Sequence, residues 1–294
     1  MSQVRSLQKS NEPYNVTVWL GKQASVLEDR NKKILDIYTE NHPVGSWLRS
    51  IKGIGPVLAA GLIANIDIKQ APTAGHIWSY AGLDPTAKWL SSTEATKVVN
   101  QVVGKETKVD FEQLIEICKI ANKDPLKIDK KLRVDDGPLK KKDVAKAICI
   151  RPWNASLKVI CWKIGESFVK VSTNKDDIYG KLYKIRKAYE EDRNNSGGNK
   201  ESAKRYLRAK DYGKDTETYK AYVEGKLPKA QIHNRATRYA VKIFLSHLQH
   251  AWYYYEFEEN PPKPFAIAHL GHAHMLEVPN MNLIHEAVAN KKKN

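Results

Sequence analysis

The segment KGIGP combines residue types that could together bind a phosphate group. Gly53 and Gly55 permit backbone angles that other residues avoid, and Lys52 adds a positive charge. Pro56 suits the first turn of a helix, whose N-terminal N–H groups and dipole attract anions. With Ile54 as a hydrophobic plug, the pattern predicts a helix-hairpin-helix that contacts a nucleic-acid backbone without reading its sequence. Because a G-x-G pair alone is a weak signal, an ordinary corner between two helices is the alternative.

Both flanks of this segment have helical spacing. VGSWLRSI (44–51) places its large apolar residues on one side, and PVLAAGLIANI (56–66) is a strong helix former. We therefore expect two helices joined by a very tight turn, in which both glycines can adopt backbone angles that other residues avoid. The first N–H groups of the second helix are expected to point outward without a partner.

Two adjacent serines are the candidate nucleophiles of this sequence. Ser91 and Ser92 follow a turn, but a serine is usually only polar, and the sequence assigns no activating base to either. The acidic residues are scattered, without the convergent carboxylates that two-metal nuclease chemistry needs. We therefore expect a protein that is not an enzyme and needs no cofactor, with a serine nucleophile as the alternative.

A histidine-rich segment near the C-terminus could bind a metal ion. HLGHAH contains His269, His272 and His274, but it lacks the further ligand spacing of common zinc sites. Histidines that pack, or that contact phosphate or bases, are the preferred interpretation. The three cysteines are far apart, so neither disulfides nor a cysteine zinc site is expected.

The composition is strongly basic. Lysine and arginine number 49 against 33 acidic residues, which gives a net charge of +16 at neutral pH. Such an excess predicts a phosphate-rich partner, with solubility or preference for a membrane surface as alternatives. The sequence has no apolar run of transmembrane length and no signal peptide, so we expect a soluble, cytoplasmic protein without a membrane partner.

Tyrosines are concentrated in the second half of the chain. Eleven of the 14 fall between residues 179 and 255, where they interleave with basic residues. Cations neutralise phosphates and exposed rings stack on unpaired bases, so this region is predicted to hold RNA or an opened strand. Tyrosines packed at helix junctions are the alternative. The predicted nucleic-acid contacts of this half are Lys181, Lys184, Arg186, Lys187, Lys204, Arg205, Arg208, Arg235, Arg238 and Lys242.

The periodicities predict a mainly α-helical fold, with the helix-hairpin-helix, a helical core and an inserted charged helical subdomain. Residues 16–41 are predicted as one helix whose apolar positions are Trp19, Leu20, Leu27, Ile34, Leu35 and Tyr38. The predicted segments are an N-terminal helical segment (1–43), the helix-hairpin-helix region (44–104), a charged insertion (105–150), a helical core that is basic and tyrosine-rich (151–260) and a C-terminal extension (261–294).

The blocks IKGIGPVLAAGLIANI, IWSYAGLDP and SS, in that order, resemble the C-terminal transposase domain of the bridge-RNA-guided recombinases and their Piv invertase relatives. That family has a helix-hairpin-helix, a YxGLxP segment and then a serine-serine-glycine. Further along, NASLKVICWKIGESF and RATRYAVKIFLSHLQHAWY resemble two later helices of the family. The resemblance implies that Ser91 or Ser92 corresponds to the family's nucleophile.

The sequence also departs from that family. Thr93 stands where the family has glycine after the two serines. Because only about forty residues precede the hairpin, we expect no RuvC-like catalytic domain. In these two respects the sequence resembles the related Tas proteins (tandem-interspaced-guide-RNA associated, Nop-like), some of which have no nuclease. That likeness implies a guide-RNA-binding protein for RNA-guided DNA recognition. Its expected partners are a structured RNA, DNA and further copies of the same chain in a homo-oligomer. The alternatives are a serine-dependent transposase or recombinase and a guide-free, structure-specific DNA-binding protein.

Overall fold

The computed structural model describes residues 15–86, 89–133, 138–262 and 276–292. These residues are mostly helical, which confirms the predicted mainly α fold. The helices are α1 (Asn15–Glu40), α2 (Gly45–Ser50), α3 (Pro56–Asn65), a 3₁₀ turn (Ile68–Gln70), α4 (Ala74–Tyr80), α5 (Ser92–Val103), α6 (Phe111–Ala121), α7 (Pro125–Leu132), α8 (Lys141–Ile148), α9 (Ala155–Val171), α10 (Tyr179–Asn195), α11 (Lys200–Ala209), α12 (Glu217–Val223), α13 (Lys229–Phe257) and α14 (Met281–Lys291). Two short strands, β1 (Lys108–Val109) and β2 (Leu139–Lys140), pair antiparallel. Among the described helices, none combines the length and the apolar character that crossing a bilayer requires.

The chain forms two compact units. The first comprises Met1–Trp78 and Ser156–Asn294, and the second comprises Ser79–Ala155. The charged insertion predicted from the sequence, 105–150, lies within the second unit.

The core of the first unit is built around α13. The side chains of Ala240, Phe244 and Leu248 on this helix are buried, and their spacing of four residues places them on one helix face. Phe244 stacks on Trp47 with 6.1 Å between ring centroids and meets Phe168 edge to face at 5.4 Å. Aromatic packing therefore ties α2, α9 and α13 together, and α2 leads directly into the predicted hairpin.

The predicted helix over 16–41 is present as α1, which packs against α3. Its buried residues are Gly21 and Thr39. Most of its apolar residues face solvent, with Trp19 58% and Ile34 63% exposed. Helical periodicity marks an apolar face, but it does not identify what covers that face.

The second unit has its own core. The residues that build it come from α5 to α8 and from the two strands: Ala95, Val99, Val103, Val109, Leu114, Ile117, Cys118, Ala121, Ile128, Leu139, Val144, Ala147 and Ile148. The first turn of α5 and of α6 is held by a capping box, in which the side chains at the cap and three residues later bond each other's backbone N–H.

Candidate nucleic-acid interface

The predicted hairpin is present between α2 and α3. Pro56 occupies the first turn of α3, and the Ile54 side chain is buried as the predicted plug. The Ile54 N–H donates to the carbonyl oxygen of Ile51 at 3.0 Å, which closes the turn. Lys52 is exposed at the outside of this turn. The local sequence thus specifies both the turn and the direction in which its charge faces.

The two glycines of the hairpin differ in backbone conformation. Gly53 has a φ of +95°, and a Cβ there would lie 3.2 Å from the Ser167 hydroxyl and 3.3 Å from the Phe168 ring. The Ser167 hydroxyl also donates to the Gly53 carbonyl oxygen at 2.6 Å, which fixes the turn on α9. Gly55 has an ordinary φ of −90°, and a Cβ there would meet nothing within 4 Å. Only Gly53 therefore requires glycine for the backbone.

The N-terminus of α3 presents fewer free N–H groups than predicted. Proline at the first position has no N–H, and the N–H groups of Leu58 and Ala59 both donate to the Gly55 carbonyl oxygen, at 3.1 and 3.0 Å. Among the described residues, no acceptor bonds the Val57 N–H. The helix end alone is consequently a weak anion site, and the side chains around it must contribute most of any attraction for phosphate.

Arg49 is a residue of the hairpin that the sequence analysis missed. Its guanidinium donates to the carbonyl oxygen of Ile54 at 3.0 Å and pairs with the Asp36 carboxylate of α1 at 2.8 Å. Arg49 lies three residues before Lys52, one turn back on the preceding helix. This spacing could have identified Arg49 from the sequence, because a basic residue one helical turn before the hairpin can reach the carbonyl groups of the turn.

An open concavity surrounds the turn. Its walls include Arg49, Ser50, Lys52, Gly53 and Gly55, and Asp176 stands at its edge. Because Arg49 is paired with Asp36, Lys52 is the cation of this concavity that can attract a phosphate. The two glycines carry no side chain that would keep a phosphate away from the backbone.

Six of the predicted basic contacts are exposed. They lie on α10, α11 and α13, and they are Lys181, Lys184, Lys204, Arg205, Arg208 and Arg238. Several are loosely held by local acceptors: the ammonium group of Lys184, for example, donates to the Ser172 carbonyl oxygen at 2.9 Å. Exposed cations of this kind can exchange such local bonds for a phosphate at low cost.

Two other predicted contacts have a different role. The guanidinium groups of Arg186 and Arg235 both pair with the buried carboxylate of Glu190, at 2.5 and 3.3 Å. Arg186 also lies against the rings of Tyr189 and Tyr239, about 5 Å from each centroid. Because removing either arginine would leave a buried carboxylate short of a partner, these two residues stabilise the junction of α10 and α13.

The remaining two predicted cations are also engaged. Lys187 is half-buried and lies 3.8 Å from the Glu191 carboxylate. The Lys242 ammonium group stands over the Trp78 ring, 4.2 Å from its centroid, and the Trp78 N–H donates to the Lys242 carbonyl oxygen at 3.0 Å. These contacts hold α4 on α13.

The tyrosines divide into two groups. Tyr179, Tyr183 and Tyr222 are buried, so their rings cannot stack on bases, and their hydroxyl groups bond within the protein. Tyr189 is exposed, with the Arg186 guanidinium over one face of its ring, so the other face is left for stacking. The predicted stacking platform is therefore smaller than the tyrosine count indicates, because several of these rings pack at helix junctions.

The candidate serines lie at the start of α5. The Ser91 hydroxyl accepts a hydrogen bond from the Glu94 N–H at 3.2 Å, and the Glu94 carboxylate accepts from the Ser91 N–H at 2.8 Å. These bonds lower the pKa of the Glu94 carboxyl group. Ser92 is exposed, and its carbonyl oxygen accepts from the Thr96 hydroxyl. Ser91 thus serves as a helix cap. Among the described residues, no histidine or lysine that could act as a base bonds either serine hydroxyl.

The candidate zinc ligands His269, His272 and His274 lie outside the described residues. Within the described part of the chain, no group of three or more His, Cys, Asp or Glu side chains is arranged to hold a metal ion. His247 is buried, with its Nδ1 2.9 Å from the Tyr179 hydroxyl and its Nε2 3.1 Å from the Leu276 carbonyl oxygen. Burial lowers the pKa of His247 to about 4, so the ring is neutral and structural.

Residues 45–95 match the family model of the transposase IS116/IS110/IS902 family. No curated protein and no solved structure matches the chain. The matched segment contains the hairpin, α4 and the serines at the start of α5. This part of the chain is therefore transposase-like, as the sequence resemblance predicted.

Proposed function

We propose that this protein is a nucleic-acid-binding protein of a transposase-like type, and that it acts without catalysis as the protein part of an RNA-guided DNA-recognition complex. The observation that carries the proposal is the hairpin, where Lys52 and Arg49 surround an exposed turn within the transposase-like segment. Such a turn suits a phosphate backbone and carries no base-specific groups. Sequence recognition then belongs to a paired RNA strand.

The guide RNA is assigned to the exposed cations of α10, α11 and α13. These residues neutralise a backbone without forming a narrow groove for one base sequence. The exposed ring of Tyr189 adds a surface on which an unpaired base can stack. The overall charge of +16 supports a partner with many phosphates.

The proposal is tested on protein purified from cells that express its native locus. Nuclease treatment and sequencing of the bound nucleic acid should identify one discrete small RNA. Lys52→Glu should weaken DNA binding by the complex about tenfold, whereas Lys97→Glu, an exposed lysine on α5, should change it less than twofold. Heterogeneous, salt-labile nucleic acid would overturn the guide role, and tight binding of RNA-free protein to DNA junctions would favour the guide-free alternative.

A serine-dependent recombinase is the second candidate function, because the family match includes Ser91 and Ser92. It requires one of these hydroxyl groups to form a covalent bond to DNA. Incubating the protein with cleavable DNA and analysing the denatured products for a protein–DNA adduct tests this directly. An adduct that disappears in Ser92→Ala or Ser91→Ala, while the variant stays folded, would establish the enzyme and overturn the non-catalytic proposal.

We also propose that the chain forms a homodimer through α1. Leu20, Leu27 and Ile34 are exposed at intervals of seven residues, the repeat of a coiled-coil seam. The exposed apolar side chains of this helix are Val16, Trp19, Leu20, Val26, Leu27, Ile34, Ile37 and Tyr38. A standard protein interface buries about 800 Å² on each side, and a continuous face of eight large apolar side chains suits such an interface. Such a stripe on a straight helix is self-complementary about a two-fold axis, so the occupant is α1 of a second copy.

A further inference from the structure

The second unit contains a helix-turn-helix. Helices α6 and α7 are joined by three residues, Asn122, Lys123 and Asp124. Asn122 adopts the left-handed conformation (φ 51°, ψ 52°), and the Lys123 N–H donates to the Cys118 carbonyl oxygen at 2.9 Å, which ends α6. The Asp124 carboxylate then accepts from the first N–H groups of α7. DNA-binding helix-turn-helix motifs have a turn of this length between two packed helices.

Helix α7 packs on α6 and α8, with Ile128 buried in the core of the unit and Leu132 against that core. Four of its eight residues are exposed, among them Lys127, Lys130 and Lys131. Lys127 lies 4.0 Å from a carboxylate, and Lys130 and Lys131 have no ion pair among the described residues. A helix with cations on its exposed face can enter a wide groove lined by phosphates.

The two-stranded ribbon supplies an independent observation. Lys108 and Lys140 are directly opposite each other in the antiparallel pair, and both are exposed. Like charges at paired positions destabilise a ribbon. A phosphate between the two ammonium groups would remove this repulsion, so the pair suits an anionic partner.

We propose that the second unit binds duplex DNA, with α7 in the major groove and the Lys108–Lys140 pair on the phosphate backbone. This site is separate from the hairpin and does not depend on a guide RNA. It gives the protein a direct contact with the DNA duplex, whereas the proposed function assigns target choice to base pairing. The chemistry is that of a helix-turn-helix, in which phosphate contacts orient the motif and the second helix faces the base edges.

The full-length protein tests the proposal. The probes are a labelled 30-bp duplex of mixed sequence and a structured RNA of equal charge, and binding is followed by fluorescence anisotropy at fixed salt. The double variant Lys130→Glu/Lys131→Glu should weaken duplex binding at least tenfold and RNA binding less than threefold. The matched control is Lys97→Glu/Lys146→Glu, which reverses two exposed charges of the same unit, one on α5 and one on α8.

Each outcome decides the proposal. An equal loss of duplex binding in both double variants would show that only the net charge matters, and would overturn the site. Unchanged duplex binding in Lys130→Glu/Lys131→Glu would also overturn it. If charge reversal unfolds the unit, Lys130→Gln/Lys131→Gln removes the cations without adding acids, and the same selective loss is expected. A Lys52→Glu variant separates the two proposals. Duplex binding that is lost in Lys130→Glu/Lys131→Glu and unchanged in Lys52→Glu would contradict the hairpin contact alone, whereas the reverse pattern would overturn the α7 site alone.

Discussion

The Arg49 guanidinium donates a hydrogen bond to the carbonyl oxygen of Ile54 at 3.0 Å, so the helix before the hairpin holds the far side of its turn. The same guanidinium pairs with Asp36 of α1. The turn is thus held by Arg49 of α2, which Asp36 of α1 orients, and by Ser167 of α9. A turn held in this way needs no rearrangement to meet a backbone phosphate.

The two hairpin glycines should respond differently to the same substitution. Gly53→Ala should lower the free energy of unfolding by about 1 to 2 kcal/mol, since alanine disfavours a left-handed φ and its Cβ crowds α9. Gly55 has an ordinary φ, and a Cβ there would lie in open space, so Gly55→Ala should be as stable as the parent protein. Urea unfolding of both variants measures the difference, and equal stabilities would contradict the assigned turn geometry.

Ser91 and Ser92 should differ in their contribution to stability. Ser91→Ala removes the capping box of α5 and should cost about 1 kcal/mol of unfolding free energy, whereas Ser92→Ala should cost little because its side chain is exposed. Thermal unfolding followed by circular dichroism gives both values. If Ser92→Ala were the more destabilised variant, the capping role of Ser91 would be wrong. Any loss of activity in Ser91→Ala must therefore be judged after correction for its folded fraction.

Stability should fall in mild acid because of His247. Burial lowers its pKa to about 4 in the folded protein, against 6.5 when exposed. The unfolded chain then binds the proton first, so stability is complete above pH 6.5 and decreases as the pH falls towards 4, by about 3 kcal/mol at most. Burial shifts the pKa of His42 and His250 in the same direction.

A variant isolates the contribution of His247 to this pH dependence. His247→Gln should unfold at a lower temperature at pH 7, because it loses the bonds to Tyr179 and Leu276, but its stability should change less between pH 7 and 4.5. Melting temperatures across that range provide the measurement. Parallel pH curves for the two proteins would show that another group carries the acid sensitivity.

The α1 dimer predicts a change of mass on a single substitution. Leu27→Glu places a charge at the centre of the exposed seam and should convert a dimer into a monomer, while the helix content stays the same. Light scattering after size exclusion measures the mass. The control is Lys22→Glu, an exposed position outside the apolar stripe. A parent protein that is monomeric at high micromolar concentration would refute the dimer.

The sequence by itself determined the features that a few neighbouring residues encode. The mainly α fold, the buried stripe of α13 and the plug at Ile54 follow from helical periodicity and from turn residues, whose effects act within one or two helical turns. The hairpin as a candidate phosphate site followed from the same local pattern. The boundaries of α1 also agree closely with the predicted helix over 16–41.

The tertiary structure decided which of those residues are free to act. Arg186 and Arg235 resemble the other cations in sequence, yet both pair with the buried Glu190, 45 residues before Arg235. Gly53 differs from Gly55 because of Ser167 on α9, 114 residues away. Burial and pairing depend on chain segments that meet only after folding. A sequence pattern therefore states what a side chain can do, and the packed structure settles whether it is available.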